Sequence, residues 1–309
     1  MWKFSYAQRL LWITALGVVL TLSVTAAEPD IVILHSNDIH GRIETDDGVL
    51  GMPYISALIR QHRAEHEHVL VLDAGDTIHG RPVANQLEGH SVVATMNAAG
   101  YDFMVPGNHD FNFGYQRLLE LEEEMEFQLL AANVYKDGEL LFAPYAIHEV
   151  GPYRVGIFGL ATPDTYQTTH PRNIEGIEFA SMIEAAEHYV TILQQQNVDL
   201  IIALGHVGFG RNYPSTDVAD AVDGIHLFVD GHSHTLLPEG RYHNNTLFVQ
   251  AHEYGKYLGR VEVFLSGDRP EFSASLIPAA GVTDIEPDME ITEMLEDFRA
   301  EVRRQILGI

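Results

Sequence analysis

The sequence has no cysteine among its 309 residues. This absence excludes disulfide bridges, thiolate zinc sites, iron–sulfur clusters and a catalytic cysteine nucleophile. Any metal ion that the chain binds must therefore be held by histidine, aspartate, glutamate or asparagine side chains. With 46% hydrophobic and 20% charged residues, the composition also excludes a chain that is disordered throughout.

Basic residues are scarce as well. The chain has 18 lysines and arginines against 44 aspartates and glutamates, which gives a formal net charge of −26 at pH 7. Such a charge repels nucleic acid polymers and anionic membrane surfaces. We therefore expect no nucleic acid polymer among its partners.

Long apolar runs are confined to the N-terminus. Residues 1–27 carry Lys3 and Arg9 but no acidic residue, and an apolar run over residues 10–22 precedes small residues. This order predicts a secretory signal peptide over residues 1–27, because the run is shorter than the ~20 residues that cross a bilayer. A retained membrane anchor is the alternative. We expect an exported protein, periplasmic or extracellular, with no membrane attachment after cleavage.

The rest of the chain alternates short β-rich apolar runs with helical patterns, which favours an α/β fold. Strands are predicted over residues 30–35, 68–72, 103–105, 128–133, 153–160, 200–204, 227–229, 246–250, 259–265 and 271–277. Helices are predicted over residues 53–64, 91–99, 115–125, 182–195 and 289–307. We expect one domain over residues 28–285, followed by a linker-like helix over residues 286–309.

Side chains capable of metal chemistry directly follow five of the predicted strands. They are Asp38 and His40, Asp76, Asn108 with His109, His206, and His232 with His234. Because ligands of open α/β sheets bind beyond the carboxyl ends of the strands, these segments are expected to converge. Asp38 and His40 are two positions apart, as are His232 and His234. In an extended backbone, both side chains of each pair would point to the same side.

The seven ligand candidates suit two divalent ions better than one. With Asp76 bridging, one ion receives four side chains: Asp38, Asp76, His40 and His234. The other ion also receives four: Asp76, Asn108, His206 and His232. This mixture of oxygen and nitrogen donors fits Mn, Fe, Zn or Co better than Ca and does not choose among them.

The charge of such a centre predicts an anionic substrate. Two divalent ions bring four positive charges, of which two aspartates and a bridging hydroxide remove three. The remaining positive charge attracts a small phosphate ester, whose phosphoryl group the hydroxide can attack in line. No covalent enzyme intermediate is expected.

These segments resemble the five sequence blocks of the calcineurin-like metallophosphoesterases. The blocks are Asn37-Asp38-Ile39-His40-Gly41, Gly75-Asp76, Gly107-Asn108-His109-Asp110, Gly205-His206 and Gly231-His232-Ser233-His234. Their order, with the later segment over residues 253–259, resembles the 5'-nucleotidase branch and covers essentially all of residues 30–307. The resemblance implies a four-layer αββα sandwich, a catalytic domain over residues 28–285 and a nucleotide as substrate.

The resemblance also implies a histidine that acts in catalysis without binding metal. His109 matches this residue, which stabilises the phosphoryl transition state or assists the leaving group. The family commonly has an aspartate three positions later, where this chain has Asn112. An amide can orient an imidazole but cannot raise its basicity by charge. Asp110 is the alternative partner for His109.

The second departure from the family concerns length. The classical nucleotidases carry a C-terminal domain that clamps the nucleoside, and this chain ends near the position of the linker helix. A C-terminal substrate-binding domain is therefore expected to be absent, in a truncated or a naturally single-domain protein. Two other functions stay open. One is hydrolysis of a cyclic phosphodiester, nucleotide sugar or thiosulfonate, and the other is a non-catalytic, metal-stabilised binding protein.

Overall fold

The computed structural model describes residues 28–210, 212–282 and 284–308 of the chain. The predicted signal peptide over residues 1–27 lies outside the described residues. Among the residues that are described, no helix has both the length and the hydrophobicity that crossing a membrane requires.

The described residues form two large sheets, one small sheet and the helices that connect them. The strands are β1 (Ile31–Ser36), β2 (Val69–Asp73), β3 (Phe103–Met104), β4 (Gln128–Leu129), β5 (Val134–Lys136), β6 (Glu139–Leu140), β7 (Tyr145–Val150), β8 (Tyr153–Ala161), β9 (Ile177–Phe179), β10 (Leu200–His206), β11 (Leu227–Asp230), β12 (Arg241–His243), β13 (Thr246–Val249), β14 (Tyr257–Phe264) and β15 (Glu271–Pro278). The α-helices are α1 (Gly51–Glu65), α2 (Pro82–Gln86), α3 (His90–Ala99), α4 (Tyr115–Glu124), α5 (Thr165–Thr168), α6 (Met182–Gln195), α7 (Ser215–Ala221) and α8 (Met289–Leu307). Short 3₁₀ turns lie at His109–Phe111, Pro171–Ile174 and Ala279–Gly281.

Each large sheet has parallel strands in its middle. The order is β15-β14-β1-β2-β3-β4 in the first sheet and β12-β13-β11-β10-β8-β7 in the second. Strands β1 to β4 are mutually parallel, as are β8, β10, β11 and β13. The carboxyl ends of the parallel strands therefore lie together at one end of each sheet, where the connections to the next element begin. Strands β6, β5 and β9 form the small antiparallel sheet.

Alternate residues of the central strands face two different cores. In β1, Ile31 and Ile33 pack between the two large sheets, whereas Val32 and Leu34 pack against helices. This alternation is the two-residue period of a strand that is buried on both faces. The first sheet packs against α1, α3, α4 and α8, and the second packs against α6 and α7. The result is the predicted four-layer αββα sandwich.

Most predicted elements are present with small changes at their ends, and α6 and α8 have the predicted bounds. The strand predicted over residues 128–133 is wrong beyond Leu129. There the chain leaves the first sheet for the second, where Ala132 N donates to Gly159 O over 2.8 Å and the side chain of Asn133 bonds to the main chain of Ala161. Strands β5, β6, β7, β9 and β12 were not predicted.

Helix α8 packs on the same core as the first sheet. Asp288 caps it by accepting a hydrogen bond from Glu290 N over 3.0 Å, and its other carboxylate oxygen accepts one from Ser56 of α1. Ile291 and Leu295 of the helix are buried. The proposed division of the chain at residue 285 stays a prediction.

Candidate metal centre

The predicted site residues lie together where loops from both large sheets meet. The loop after β1 bonds to the loop after β2 through Asp38 N and Gly75 O over 2.8 Å. His206 of the second sheet bonds through Nδ1 to Ala74 O over 2.7 Å, which ties that sheet to the first. Six of the eight predicted side chains line one cavity of about 400 Å³: His40, Asp76, Asn108, His109, His232 and His234. Asp38 and His206 are fully buried.

One cluster of potential ligands consists of Asp38, His40 and His234, whose donor atoms lie within 4.8 Å of one another. His234 Nε2 is 3.2 Å from Asp38 Oδ1 and 3.3 Å from His40 Nε2. Two imidazole nitrogens that face each other at this distance need a proton or a cation to offset the repulsion of their lone pairs.

The second cluster consists of Asp76, His206 and His232, whose donor atoms also lie within 4.8 Å of one another. His206 Nε2 is 3.2 Å from Asp76 Oδ2. The same carboxylate oxygen is 3.9 Å from His40 Nε2, which belongs to the first cluster. Asp76 therefore lies between the two clusters, as expected for a bridging ligand.

Two buried polar atoms of the predicted ligands have no hydrogen-bond partner. They are Asn108 Oδ1 and His206 Nε2, whose approach to Asp76 does not have hydrogen-bond geometry. A buried polar atom without a partner costs about 1–3 kcal/mol. A bound cation would satisfy both atoms, so the donor set fits divalent cations.

In three of the predicted histidine ligands, one ring nitrogen is held by an oxygen acceptor. His234 Nδ1 is 2.6 Å from Glu253 Oε2, and His232 Nε2 is 3.3 Å from Asp164 Oδ2. His206 Nδ1 bonds to a carbonyl as described above. Histidines that bind metals usually donate their second N–H to such acceptors, which fixes the ring and its tautomer. The pattern leaves Nε2 of His206 and His234, and Nδ1 of His232, available for an ion.

The backbone at the site departs from the predicted extended form. Asp38 and His40 have φ of 52° and 50°, and His232 and His234 have φ of 67° and 53°. The expectation that extended backbone aligns each pair is therefore wrong, since left-handed turns bring the side chains together. Asp76 also has a positive φ of 58°. Strained residues of this kind cost about 1–3 kcal/mol each and cluster at functional sites.

Asp110 is a support for the site loops and not a partner of the His109 ring. Its carboxylate accepts hydrogen bonds over 2.7–3.0 Å from the main-chain N–H groups of Asp76, Thr77, Ile78 and Gly107. Because these bonds join the loop after β2 to the loop after β3, Asp110 fixes the main chain around Asp76.

The side chain of Asn112 forms a hydrogen bond with the His109 ring. Asn112 Nδ2 lies 2.8 Å from His109 Nδ1. The main-chain N–H of His109 donates to Asp76 Oδ1 over 2.6 Å, which joins the predicted catalytic residue to the predicted bridging ligand. The amide therefore takes the position at which the family commonly has a carboxylate.

A family model for calcineurin-like phosphoesterases matches residues 31–236. The chain belongs to the calcineurin-like phosphoesterase family. The predicted family and the predicted sandwich are both confirmed.

Individual relatives of the chain include nucleotidases. The chain is 32% identical over 330 residues to a snake venom 5'-nucleotidase from Crotalus adamanteus, with 96% of this chain and 54% of that protein covered. The 5'-nucleotidase precursor from Thermus thermophilus has a TM-score of 0.76 at 30% identity, with 88% of this chain and 59% of that one covered. A sulfate thiohydrolase from Thermus thermophilus has a TM-score of 0.81 at 22% identity, with coverages of 90% and 61%, and shows the fold alone. The chain spans about half the length of the curated relatives it matches.

Burial and the nearby carboxylates shift the pKa values of two potential ligands in opposite directions when no cation is bound. Burial lowers the pKa of His40 to about 4, although Asp76 and Asp38 act in the opposite direction. Burial also acts to lower the pKa of His206, but Asp76 reverses this effect and raises it to about 10. Since a metal ion needs the neutral imidazole, metal binding to His206 must displace a proton.

Three functional candidates at the site were not predicted from the sequence. Asp164 follows β8, so the rule applied to the other strand ends could have found it. Glu253 lies in the segment that resembles the nucleotidases and follows β13, so the same rule could have found it, although the sequence does not indicate its contact with His234. Arg42 lines the cavity, and its guanidinium carbon lies 3.9 Å from the centre of the Tyr254 ring. It brings a positive charge to the cavity that an anionic substrate could use.

Proposed function

We propose that this phosphoesterase is an exported hydrolase of nucleotides and related small phosphate esters that uses two divalent metal ions. The observation that carries the proposal is the position of Asp76 between two clusters of ligand atoms. The 5'-nucleotidases from Crotalus adamanteus and Thermus thermophilus support the nucleotide as substrate. Residues 28–285 form the proposed catalytic unit, and residues 1–27 the proposed signal peptide.

The proposed ligands divide as the sequence predicts. Asp38, His40 and His234 hold one ion, Asn108, His206 and His232 hold the other, and Asp76 binds both. When bound, the two ions supply Lewis-acid activation of water and neutralise the charge of the phosphoryl group. The donor set suits Mn, Zn, Fe or Co.

The other cavity residues bind and orient the substrate. Arg42 attracts the phosphate ester by charge, and stacking on Tyr254 limits the conformations of its long side chain. His109 faces the same cavity and donates its main-chain N–H to Asp76, so its ring is held next to the reacting group. We propose that this ring stabilises the transition state or protonates the leaving group.

An activity panel with one inactivating variant tests the proposal. Protein loaded with manganese or zinc is assayed with nucleoside monophosphates, nucleotide sugars, cyclic nucleotides and an aryl phosphate. We expect hydrolysis of the monophosphates and of the aryl ester. Asp76→Asn is expected to reduce both to background, because the shared negative charge is lost to both ions. Asp137→Asn, on a side chain that is 84% exposed, is the matched control and should retain activity.

Each other outcome contradicts a defined part of the proposal. Hydrolysis of the aryl ester but of no nucleotide would contradict the proposed nucleotide substrate and would still support phosphoesterase activity. Bound metal without hydrolysis of any ester would favour a binding protein. Wild-type turnover by Asp76→Asn would contradict the bridging assignment itself.

A further inference from the structure

A single amide lies between two parallel imidazole rings at the rim of the site. Asn112 Nδ2 is 2.8 Å from His109 Nδ1 and 3.1 Å from His79 Nδ1. The planes of the two rings differ by 8°, and their centroids are 6.0 Å apart. His79 lines the same cavity as His109. Within the described part of the chain, His40, Asp76 and His109 form a third cluster of potential metal ligands, and His79 belongs to none of the three.

This arrangement couples the proton positions of the two histidines. The amide nitrogen carries two hydrogens, and the amide oxygen carries two lone pairs. Whichever of these atoms faces the rings, both Nδ1 atoms meet the same atom, so both must accept or both must donate. With the nitrogen facing them, both rings accept at Nδ1 and carry their proton on Nε2.

The main chain of Asn112 is held by two hydrogen bonds. Its O accepts a hydrogen bond from Asn173 Nδ2 over 2.7 Å, and its N donates to His109 O over 3.0 Å. His79 packs edge-on against Phe113, with ring centroids 5.1 Å apart. Because the side-chain amide contacts both rings, its rotation requires both rings to respond.

An aspartate at position 112 could orient His109 without any contribution from His79. It can only accept, so it fixes the Nδ1–H of His109 by itself. An amide can present either its donor or its acceptor. Because His79 meets the same amide atom as His109, any rotation of the amide must also suit the Nδ1 atom of His79, which adds a second constraint on the amide that orients His109.

We propose that His79 is a positioning residue that acts through the Asn112 amide to fix the ring orientation and tautomer of His109. Its effect on turnover rests on the proposed function, because it needs His109 to assist the leaving group of a phosphate ester. Its effect on the tautomer of His109 does not depend on turnover.

A double-mutant cycle with two esters tests the effect on turnover. His79→Ala, Asn112→Asp and the double variant are assayed as metal-loaded full chains with a nucleoside monophosphate and with an aryl phosphate. We expect His79→Ala to lower kcat for the nucleotide about 10-fold with KM nearly unchanged, and to lower kcat for the aryl ester much less, since an aryl leaving group needs little protonation. In the Asn112→Asp background, the loss caused by His79→Ala should shrink to less than about 2-fold.

Control variants separate positioning from folding. His79→Phe keeps an aromatic ring against Phe113 but has no Nδ1, so it should behave as His79→Ala. His188→Ala, at an exposed position, should leave kcat for both esters unchanged. Full activity of His79→Phe, an equal loss with both esters, or an equal loss in both backgrounds would overturn the proposal.

Imidazole ¹⁵N spectra provide a readout that is independent of hydrolysis. In the wild type, the Nδ1 signals of His79 and His109 should report the same protonation state. In His79→Ala, the His109 Nδ1 signal should shift as the amide becomes free to rotate. An unchanged His109 signal in both His79→Ala and His79→Phe would overturn the inference even if the wild type hydrolysed no ester.

Discussion

At the scale of single residues, Asp76 connects the parts of the proposed centre. Its Oδ2 lies 3.2 Å from His206 Nε2 and 3.9 Å from His40 Nε2, while its Oδ1 accepts the main-chain N–H of His109. Burial opposes ionisation of Asp76, but His206 and His40 hold its pKa well below the usual range. The carboxylate is therefore ionised and able to bind two cations.

His109→Ala tests whether His109 acts in catalysis without binding metal. One ring nitrogen of His109 lies within 4.8 Å of donor atoms of His40 and Asp76, so its position alone would also allow it to bind the proposed first ion. We expect the variant to keep the wild-type metal content and to lose about 10²-fold or more in turnover. Elemental analysis and steady-state kinetics check the two parts. A loss of one ion per chain would instead identify His109 as a ligand.

At the scale of elements, the loops after β2 and β3 approach each other too closely for a side chain at Gly107. A Cβ atom added there would lie 2.3 Å from Asp76 Oδ1 and 2.4 Å from Asp76 N. Both distances are far below van der Waals contact, so one loop must move. Because Gly107 has no side chain, the Asp76 carboxylate can lie between the ends of β2 and β3.

Gly107→Ala is expected to displace Asp76 and to impair both ion sites. Since a shift of 1 Å near reacting groups can cost about 10²-fold in rate, turnover should fall by at least that factor. Unfolding experiments should show a loss of about 1–3 kcal/mol in stability. Gly267→Ala is the matched control, because its added Cβ has no atom closer than 3.5 Å. Equal behaviour of the two variants would contradict the proposed contact.

The sequence predicts elements well where local signals agree. Helices α6 and α8 have apolar faces of helical period and begin at the capping residues Ser181 and Asp288, and both have the predicted bounds. The short strands β6 and β12 have no buried residue, so hydrophobic alternation could not indicate them. The candidate ligands could be predicted from their positions after the strands, because the topology brings the carboxyl ends of parallel strands together.

The detailed geometry of the site could not be predicted in the same way. Aspartate and histidine adopt a positive φ more often than most residues other than glycine, but extended backbone remains far commoner for both, so the sequence does not mark the positive φ of Asp38 and His232. His234 follows β11 and Glu253 follows β13, and the sequence alone does not indicate that these two strands are neighbours in the sheet. The positioning role proposed for His79 becomes apparent only from the contacts of Asn112 with both rings.

At the scale of the whole molecule, a cationic centre would lie within a strongly anionic chain. The formal net charge is −26, and long-range repulsion of an anionic substrate is screened by salt. We expect kcat/KM of the metal-loaded protein to rise several-fold as an inert salt increases from about 10 mM to about 150 mM. The rise should be steeper for a nucleoside triphosphate than for a monophosphate. A fall in kcat/KM for both would show that the local charge of the site dominates.

An anomalous difference map from crystals saturated with manganese tests directly whether two cations share Asp76. We expect two peaks per chain, about 3.5–4 Å apart, with both ions bound by the Asp76 carboxylate. A single peak, or an absence of peaks between the two clusters at saturating manganese, would contradict it.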